Sequence, residues 1–300
     1  ALAERAYQKA VAYARDRVQS RPVDGSMATS APIIHHPDVR RMLMSMKSRV
    51  EAMRALAYVV AAMFDQAHRA SDEAARNAAH AGVDLLIPIL KGWCTENGVE
   101  VASTGIQIHG GMGFIEETGA AQHLRDARVT TIYEGTTGIQ ANDLIGRKVL
   151  RDGGRSMQAL LSQIDAVCEQ LEAGDDAQLH AIGARLREGS KSLADSVRWI
   201  LATGMQDLNA VLAGAVPFLH LCGVVCGGWQ MGRAALAAQR KLAAGDGDAA
   251  FYRAKVATAR FFADHDMGTI SRMSRSTATA PSTGGLPRIA PWAAVATKFS

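Results

Sequence analysis

Leu43, Met46, Val50, Met53, Ala57, Val60 and Phe64 recur every three or four residues. That period lays one apolar stripe along a helix, and such a stripe has to be buried against another element. Pro37 and Asp38 suit the start of this helix, because proline fits a first turn and an acid complements the positive helix end. A second helix is expected from Asp72 to Cys94, with Gly98 as a break, and a third from Val99 to Ile108. Strand-like alternation is nearly absent. "ARVTTIY" (127–133) is the best extended candidate, and aromatic residues make up only 5% of the chain. The five methionines between 42 and 63 read either as simple core or as the lining of an apolar ligand slot.

The expected class is therefore all-α, with a helix bundle over residues 1–152. "RDGGRS" and "EAGDDAQ" punctuate the chain and mark 153–177 as a linker. Further helices are expected at 178–203, 206–215, 218–241 and 248–272, giving a second helical domain over 178–275. Residues 276–300, rich in Ser, Thr, Pro and Gly, read as a loop or disordered tail. From Leu208 to Gly232 no Asp, Glu, Lys or Arg appears. Its glycines, Asn209, Pro217 and His220 favour a buried helix pair over a membrane span.

The net charge of +4 is dispersed, with no block of five basic residues, so no nucleic-acid partner is expected. Cys94, Cys168, Cys222 and Cys226 form neither a disulfide framework nor a metal-type pattern, so no metal is expected. A reducing, cytoplasmic setting fits this usage. No signal segment opens the chain, and the amphipathic start "ALAERAYQKAVAYARDR" reads as a cut inside a longer polypeptide.

Two motifs carry chemistry. In "QIHGGMGF" (107–114), glycines either end a helix or bring backbone amides close to a phosphate. His109 either meets a cofactor edge or caps the helix end. The spacing is not that of a nicotinamide-dinucleotide fingerprint, and no P-loop lysine is present. In "IYEGTTGIQAND" (132–143), Glu134 either acts as a base or is a plain acidic signal before a helix. A base working near neutral pH needs a carboxyl shielded by apolar neighbours, which Ile132 and Tyr133 are expected to supply. Gly135 leaves room for a substrate, and Thr136 and Thr137 suit a helix cap.

The order and spacing of "QIHGGMGF" and "LRDARVTTIYEGTTGIQ", after the opening helix, resemble the acyl-CoA dehydrogenase family over residues 1–150. Residues 155–275, with "FYRAKVATARFFADH", are similar to the extra helical domain of a bacterial subgroup acting on longer or unusual acyl-CoAs, methylmercaptopropionyl-CoA included. The resemblance implies a four-helix-bundle C-terminal domain and FAD-dependent α,β-dehydrogenation of an acyl-CoA to a trans-2-enoyl-CoA. It implies Glu134 as the base and places substrate against Tyr133 and Gly135. It implies FAD contacts at Arg17, Gln19, His36, Thr136, Thr137 and Gly138. Gln107, Ile108, His109, Gly110 and Gly111 correspond to a segment that holds the neighbouring subunit's FAD. An electron-transfer flavoprotein as acceptor and a homodimer or tetramer follow from the same resemblance. The chain departs from the family at "RVQSR", where a Phe-Gly pair is missing, at Gly138, often glutamine, and at Pro37 after His36. Acyl-CoA oxidase chemistry, or a non-enzymatic flavoprotein or assembly domain of the same fold, DNA-binding included, are the alternatives.

Overall fold

The computed structural model describes residues 1–278. Among them every regular element is helical, and the one β feature is an isolated bridge between Val18 and Pro32. The chain runs through α1 (Leu2–Asp16), α2 (Pro37–Arg69), α3 (Glu73–His109), the single turn α4 (Gly111–Phe114), α5 (Ala120–Thr130) and α6 (Thr137–Asp143). A π-helical segment (Leu144–Leu150) extends α6. Then follow α7 (Arg155–Glu172), α8 (Ala177–Thr203), α9 (Leu208–Ala213), α10 (Ala215–Ala243), α11 (Ala249–His265) and α12 (Ile270–Ala278). The all-α class expected from the apolar period is what the chain adopts.

Helices α1, α2, α3 and α5 form an up-down-up-down bundle. Met46 of α2 lies near Gly105 late in α3, whereas Met63 lies near Gly82 early in α3, so these two helices run antiparallel. The α1 start shares a cavity with Cys94 and Gly98, while Tyr13 near its end stacks on His109, so α1 and α3 run parallel. The predicted stripe of α2 is buried at Leu43, Met46, Val50, Met53 and Val60. Phe64 departs from it and lies exposed, beside His68.

Helices α7, α8, α10, α11 and α12 build the second unit, with α10 at its centre and also against α2, α3 and α6. The uncharged stretch is thus core. Gly223 and Gly227 seat the Trp93 ring of α3, and a Cβ at Gly223 would stand 2.1 Å from Trp93 Cγ. A Cβ at Gly92 would meet Leu219 of α10 at 2.7 Å. Among the described residues no helix is long and apolar enough to cross a membrane. Polar ties reinforce the joint. Arg49 of α2 pairs with Asp266 at 2.7 Å, and Lys255 of α11 with Glu51 at 2.9 Å. Burial opposes the charge on Glu51, but the Lys47 and Lys255 ammonium groups outweigh it and hold the carboxyl below its ordinary value.

Several local expectations differ from the structure. Helix α3 passes through Gly98 without a break, because Trp93, Val101 and Ala102 on either side are buried and pin the helix. Residues 127–133 are not extended. Ala127 and Leu124 pack with Ala6 and Ala102, which carries α5 to Thr130 before the chain turns. The segment read as a linker holds the 18-residue α7, whose Leu160, Leu161, Ile164, Val167 and Leu171 are buried. Its glycine and aspartate clusters are the ends of that helix: Asp152 accepts from Gly154 and Ser156, and Asp176 caps α8. Helix α10 begins at Ala215, with Pro217 tolerated in its first turn. The expected helix 248–272 bends after His265 through a 3-10 turn into α12. The tail reading falls on residues outside the described ones beyond Ala278, and before that point α12 is helical. Cys222 and Cys226 are core, and no group of three or more potential metal ligands occurs among the described residues.

Gly223→Ala should lower stability by about 1–3 kcal/mol, the usual cost of overpacking a filled core. Urea unfolding of the variant against wild type measures it, and an unchanged midpoint would show that Trp93 can move aside.

Candidate active site and cofactor surface

Helix α5 ends at Thr130, and six residues lead into α6, whose first turn is capped by the Thr136 hydroxyl accepting from Ile139 N–H at 3.4 Å. Within this turn Glu134 and Gly135 both take left-handed backbone, with φ of 52° and 85°. For a non-glycine residue that conformation costs on the order of 1–3 kcal/mol and persists only where the surroundings enforce it. Here they do. Lys91 of α3 donates to the Gly135 carbonyl at 2.6 Å, and Gln140 donates to the Glu134 carbonyl at 3.3 Å. The buried Thr137 donates its hydroxyl to Glu96 at 2.5 Å and its N–H to the Thr131 carbonyl at 3.2 Å.

The Glu134 side chain itself is exposed, contrary to the expectation that Ile132 and Tyr133 would shield it. Each of those two is 53% exposed, because α5 turns their side chains outward. With Val129 and Ile139, also exposed, they make an apolar collar around the turn, so shielding of the carboxylate has to come from another surface laid on it. Beside the turn, Thr130 and Tyr133 border an apolar cavity of about 530 Å³ between α1, α2 and α3, lined by Val50, Met53, Leu90 and Cys94. Gly98 also lines it and has nothing within 4 Å of where a Cβ would be, so the absent side chain leaves the space open. Burial pushes the Cys94 thiol up to about 12, which keeps it protonated and inert. The methionine stripe divides: Met46 is core, whereas Met53 faces the cavity.

A second cluster gathers at the other end of α3. Gln19 pairs its backbone with Ala31, His36 Nε2 contacts the Gln19 carbonyl at 2.8 Å, and Arg17 donates to the Gln19 side chain at 3.3 Å. The fold thus brings Arg17, Gln19 and His36 together, all with polar groups near solvent. Gly110 takes φ of +59°, and a Cβ at Gly110 or Gly111 would meet no atom within 4 Å, which leaves an open backbone edge. A Cβ at Gly113 would strike the Ile106 carbonyl at 2.3 Å, so that glycine is needed for the tight return. Gln107 is exposed, but Ile108 and His109 turn inward. The His109 ring stacks on Tyr13 at 4.3 Å and bonds the Gly105 carbonyl at 2.7 Å, so only the backbone of these two faces the edge. Lys91 and His109 are eighteen residues apart, about 27 Å along α3, so the Glu134 turn and the glycine corner are separate places on one chain.

Sequence reasoning missed Lys91, Glu96, Gln140 and Tyr13. Nothing in a helical pattern separates Lys91 or Glu96 from ordinary surface charges; only the folded turn reveals their partners.

The two clusters lie on stacked helical bundles, and the comparisons with known proteins say to which family such a chain belongs. The profile of a family described as "Acyl-CoA dehydrogenase, C-terminal domain" matches residues 1–150, and that of "Acetyl-CoA dehydrogenase C-terminal like" matches residues 160–282. The chain is 55% identical over 263 residues to the 3-methylmercaptopropionyl-CoA dehydrogenase of Ruegeria pomeroyi, covering 88% of this chain and 44% of that protein. It is 34% identical to the broad-specificity linear acyl-CoA dehydrogenase FadE5 of Mycobacterium tuberculosis, over 86% of this chain and 44% of that protein. A Bacillus anthracis acyl-CoA dehydrogenase solved in complex with FAD has a TM-score of 0.69 at 20% identity, covering 92% of this chain and 45% of its own, which shows likeness of fold. The chain belongs to the acyl-CoA dehydrogenase family. It spans less than half the length of these relatives.

Two outcomes follow from the geometry. Glu134→Gly should be more stable than Glu134→Ala by about 1 kcal/mol, since only glycine relieves the left-handed backbone; equal thermal midpoints would show that the turn relaxes freely. Burial also holds His109 below its ordinary pKa of 6.5. The folded state therefore resists protonating it, so this contribution to stability is full above about pH 6.5 and fades as pH falls below that. His109→Phe, which keeps the stack on Tyr13, should flatten the decline of thermal stability toward pH 5 relative to wild type, as read by melting at a series of pH values.

Proposed function

We propose that the full-length protein dehydrogenates an acyl-CoA thioester between its α and β carbons, with Glu134 as the base. The carrying observation is the enforced left-handed Glu134–Gly135 turn beside an apolar cavity. A strained acidic residue, held by side chains from α3 and α6, is the kind of feature that marks a working group rather than a surface signal.

In this reading the acyl chain enters the cavity lined by Val50, Met53 and Leu90, and Gly135 leaves space for the thioester. Glu134 takes the α proton. The electrons of that C–H bond form the α,β double bond as a hydride leaves the β carbon, so the substrate loses two hydrogens and two electrons. The Glu134 backbone amide polarises the thioester carbonyl, stabilising negative charge as it develops. The apolar collar receives a covering surface that excludes water from the reacting atoms.

FAD, when bound, supplies the two-electron acceptor. The exposed Arg17, Gln19 and His36 cluster and the unobstructed edge at Gly110 and Gly111 suit an anionic, extended cofactor. Ile108 and His109 would take part through their backbone alone. Thr136 and Gly138 stand next to the base, where they would face the cofactor of the same site, whereas Thr137, buried with its hydroxyl on Glu96, would act by holding the turn. The separation along α3 supports the reading that Gln107–Gly111 serve the site of a neighbouring subunit, in a homodimer or tetramer. The 55% identical relative makes 3-methylmercaptopropionyl-CoA the first substrate to try, and the family resemblance makes an electron-transfer flavoprotein the acceptor to test.

Dye reduction by the full-length holoenzyme across acyl-CoAs, with Glu134→Gln alongside, tests this. Turnover should fall about 10²–10⁴-fold in the variant with FAD still bound. Wild-type turnover would refute the assigned base, and oxygen uptake in place of flavoprotein reduction would make the enzyme an oxidase.

A further inference from the structure

We propose that Lys91 and Glu96 are positioning residues that aim Glu134, acting through Gly135 and Thr137, which follow it in the chain. The inference rests on Glu134 being the base and adds what holds it in place.

The Glu134 and Gly135 carbonyls accept from side chains, Gln140 and Lys91. A left-handed pair leaves its carbonyls outside any helical or sheet ladder, so their partners have to be supplied. Lys91 makes no salt bridge among the described residues; it spends a half-buried ammonium on a neutral carbonyl, at 2.6 Å, and lies 5.9 Å over the Tyr133 ring. A charge-assisted bond of that kind is stronger than a neutral one and falls on the residue next to Glu134. Glu96 fixes the far side, since the Thr137 hydroxyl it accepts opens α6. Both anchors stand on α3, whose middle is locked by Trp93 between Gly223 and Gly227 of α10. Helix α10 packs against both α3 and α6, so the second helical unit adjoins the same anchor.

A catalytic side chain has to be held within about half an ångström of its productive place, and a misplacement of about 1 Å costs on the order of 100-fold. The other bonds on this six-residue connection, from Gln140 to the Glu134 carbonyl and from the Thr137 N–H to Thr131, are made within the connection and α6, so among the described residues only Lys91 and Glu96 tie it to α3. Lys91 and Glu96 thus turn an exposed loop into part of the rigid α3 frame.

The test uses the full-length holoenzyme and substrate deuterated at the α carbon. For Lys91→Met we expect kcat down roughly 10- to 100-fold, KM and FAD content near wild type, and a larger α-deuterium isotope effect, because proton removal becomes more limiting. Lys91→Arg, which keeps a charged donor, should recover much of kcat, and Glu96→Ala should move kcat and the isotope effect the same way as Lys91→Met. A fold defect would instead lower FAD content and melting temperature with the isotope effect per bound flavin unchanged, and that result overturns the proposal. So does wild-type kcat in Lys91→Met and Glu96→Ala while Glu134→Gln is inactive. An active Glu134→Gln removes the base assignment itself, which is a separate failure. Should Lys91→Met not fold, Lys91→Arg and Glu96→Ala give the same two readouts.

Discussion

The seating of the Trp93 ring on Gly223 and Gly227 fixes the distance between the two helical units. An indole cannot approach a helix backbone this closely where side chains intervene, so two glycines one turn apart convert a flat helix surface into a slot. Once Trp93 is held, so is the middle of α3. From there the restraints run outward: Lys91 precedes the tryptophan by two residues and Glu96 follows by three, and both reach the turn that carries Glu134. A packing contact without chemistry of its own therefore sets the frame for the one acidic side chain on which the proposed reaction depends.

The polar ties at the joint act differently. The Arg49–Asp266 and Glu51–Lys255 pairs link α2 to α11 and the residue that ends it. Partly buried pairs of this sort add little net stability against the cost of desolvation, but they penalise any arrangement that separates them. The slot holds α3 against α10, and the ion pairs tie α2 to α11.

Much of the architecture was legible in the chain. The period-3.6 stripe of α2 and the charge-free run over the first part of α10, up to Gly232, both report burial, and burial is what these patterns encode. The failures share one cause. Gly98 and the β-branched "VTTI" are local signals overruled by contacts distant in sequence, such as Ala127 against Ala6 and Ala102, and the segment between the glycine and aspartate clusters is helical because α7 buries one face. At the site, Glu134 and the glycine corner stood out because their residue types are unusual where they occur. Lys91 and Glu96 did not, since a lysine and a glutamate within a helix carry no mark of what they will touch. Nor did the sequence disclose that Ile132 and Tyr133 face outward, which depends on the angle at which α5 ends.

The separation of about 27 Å along α3 between Lys91, at the Glu134 turn, and His109, at the glycine corner, has a genetic corollary under the proposed function. Each complete centre would draw its base from one polypeptide and part of its cofactor cradle from another. A subunit damaged at the turn and a subunit damaged at the corner would then, when mixed, restore one sound centre per pair and spoil the other. Alleles at the two places would complement each other in a cell that carries both, whereas two alleles at the same place would not.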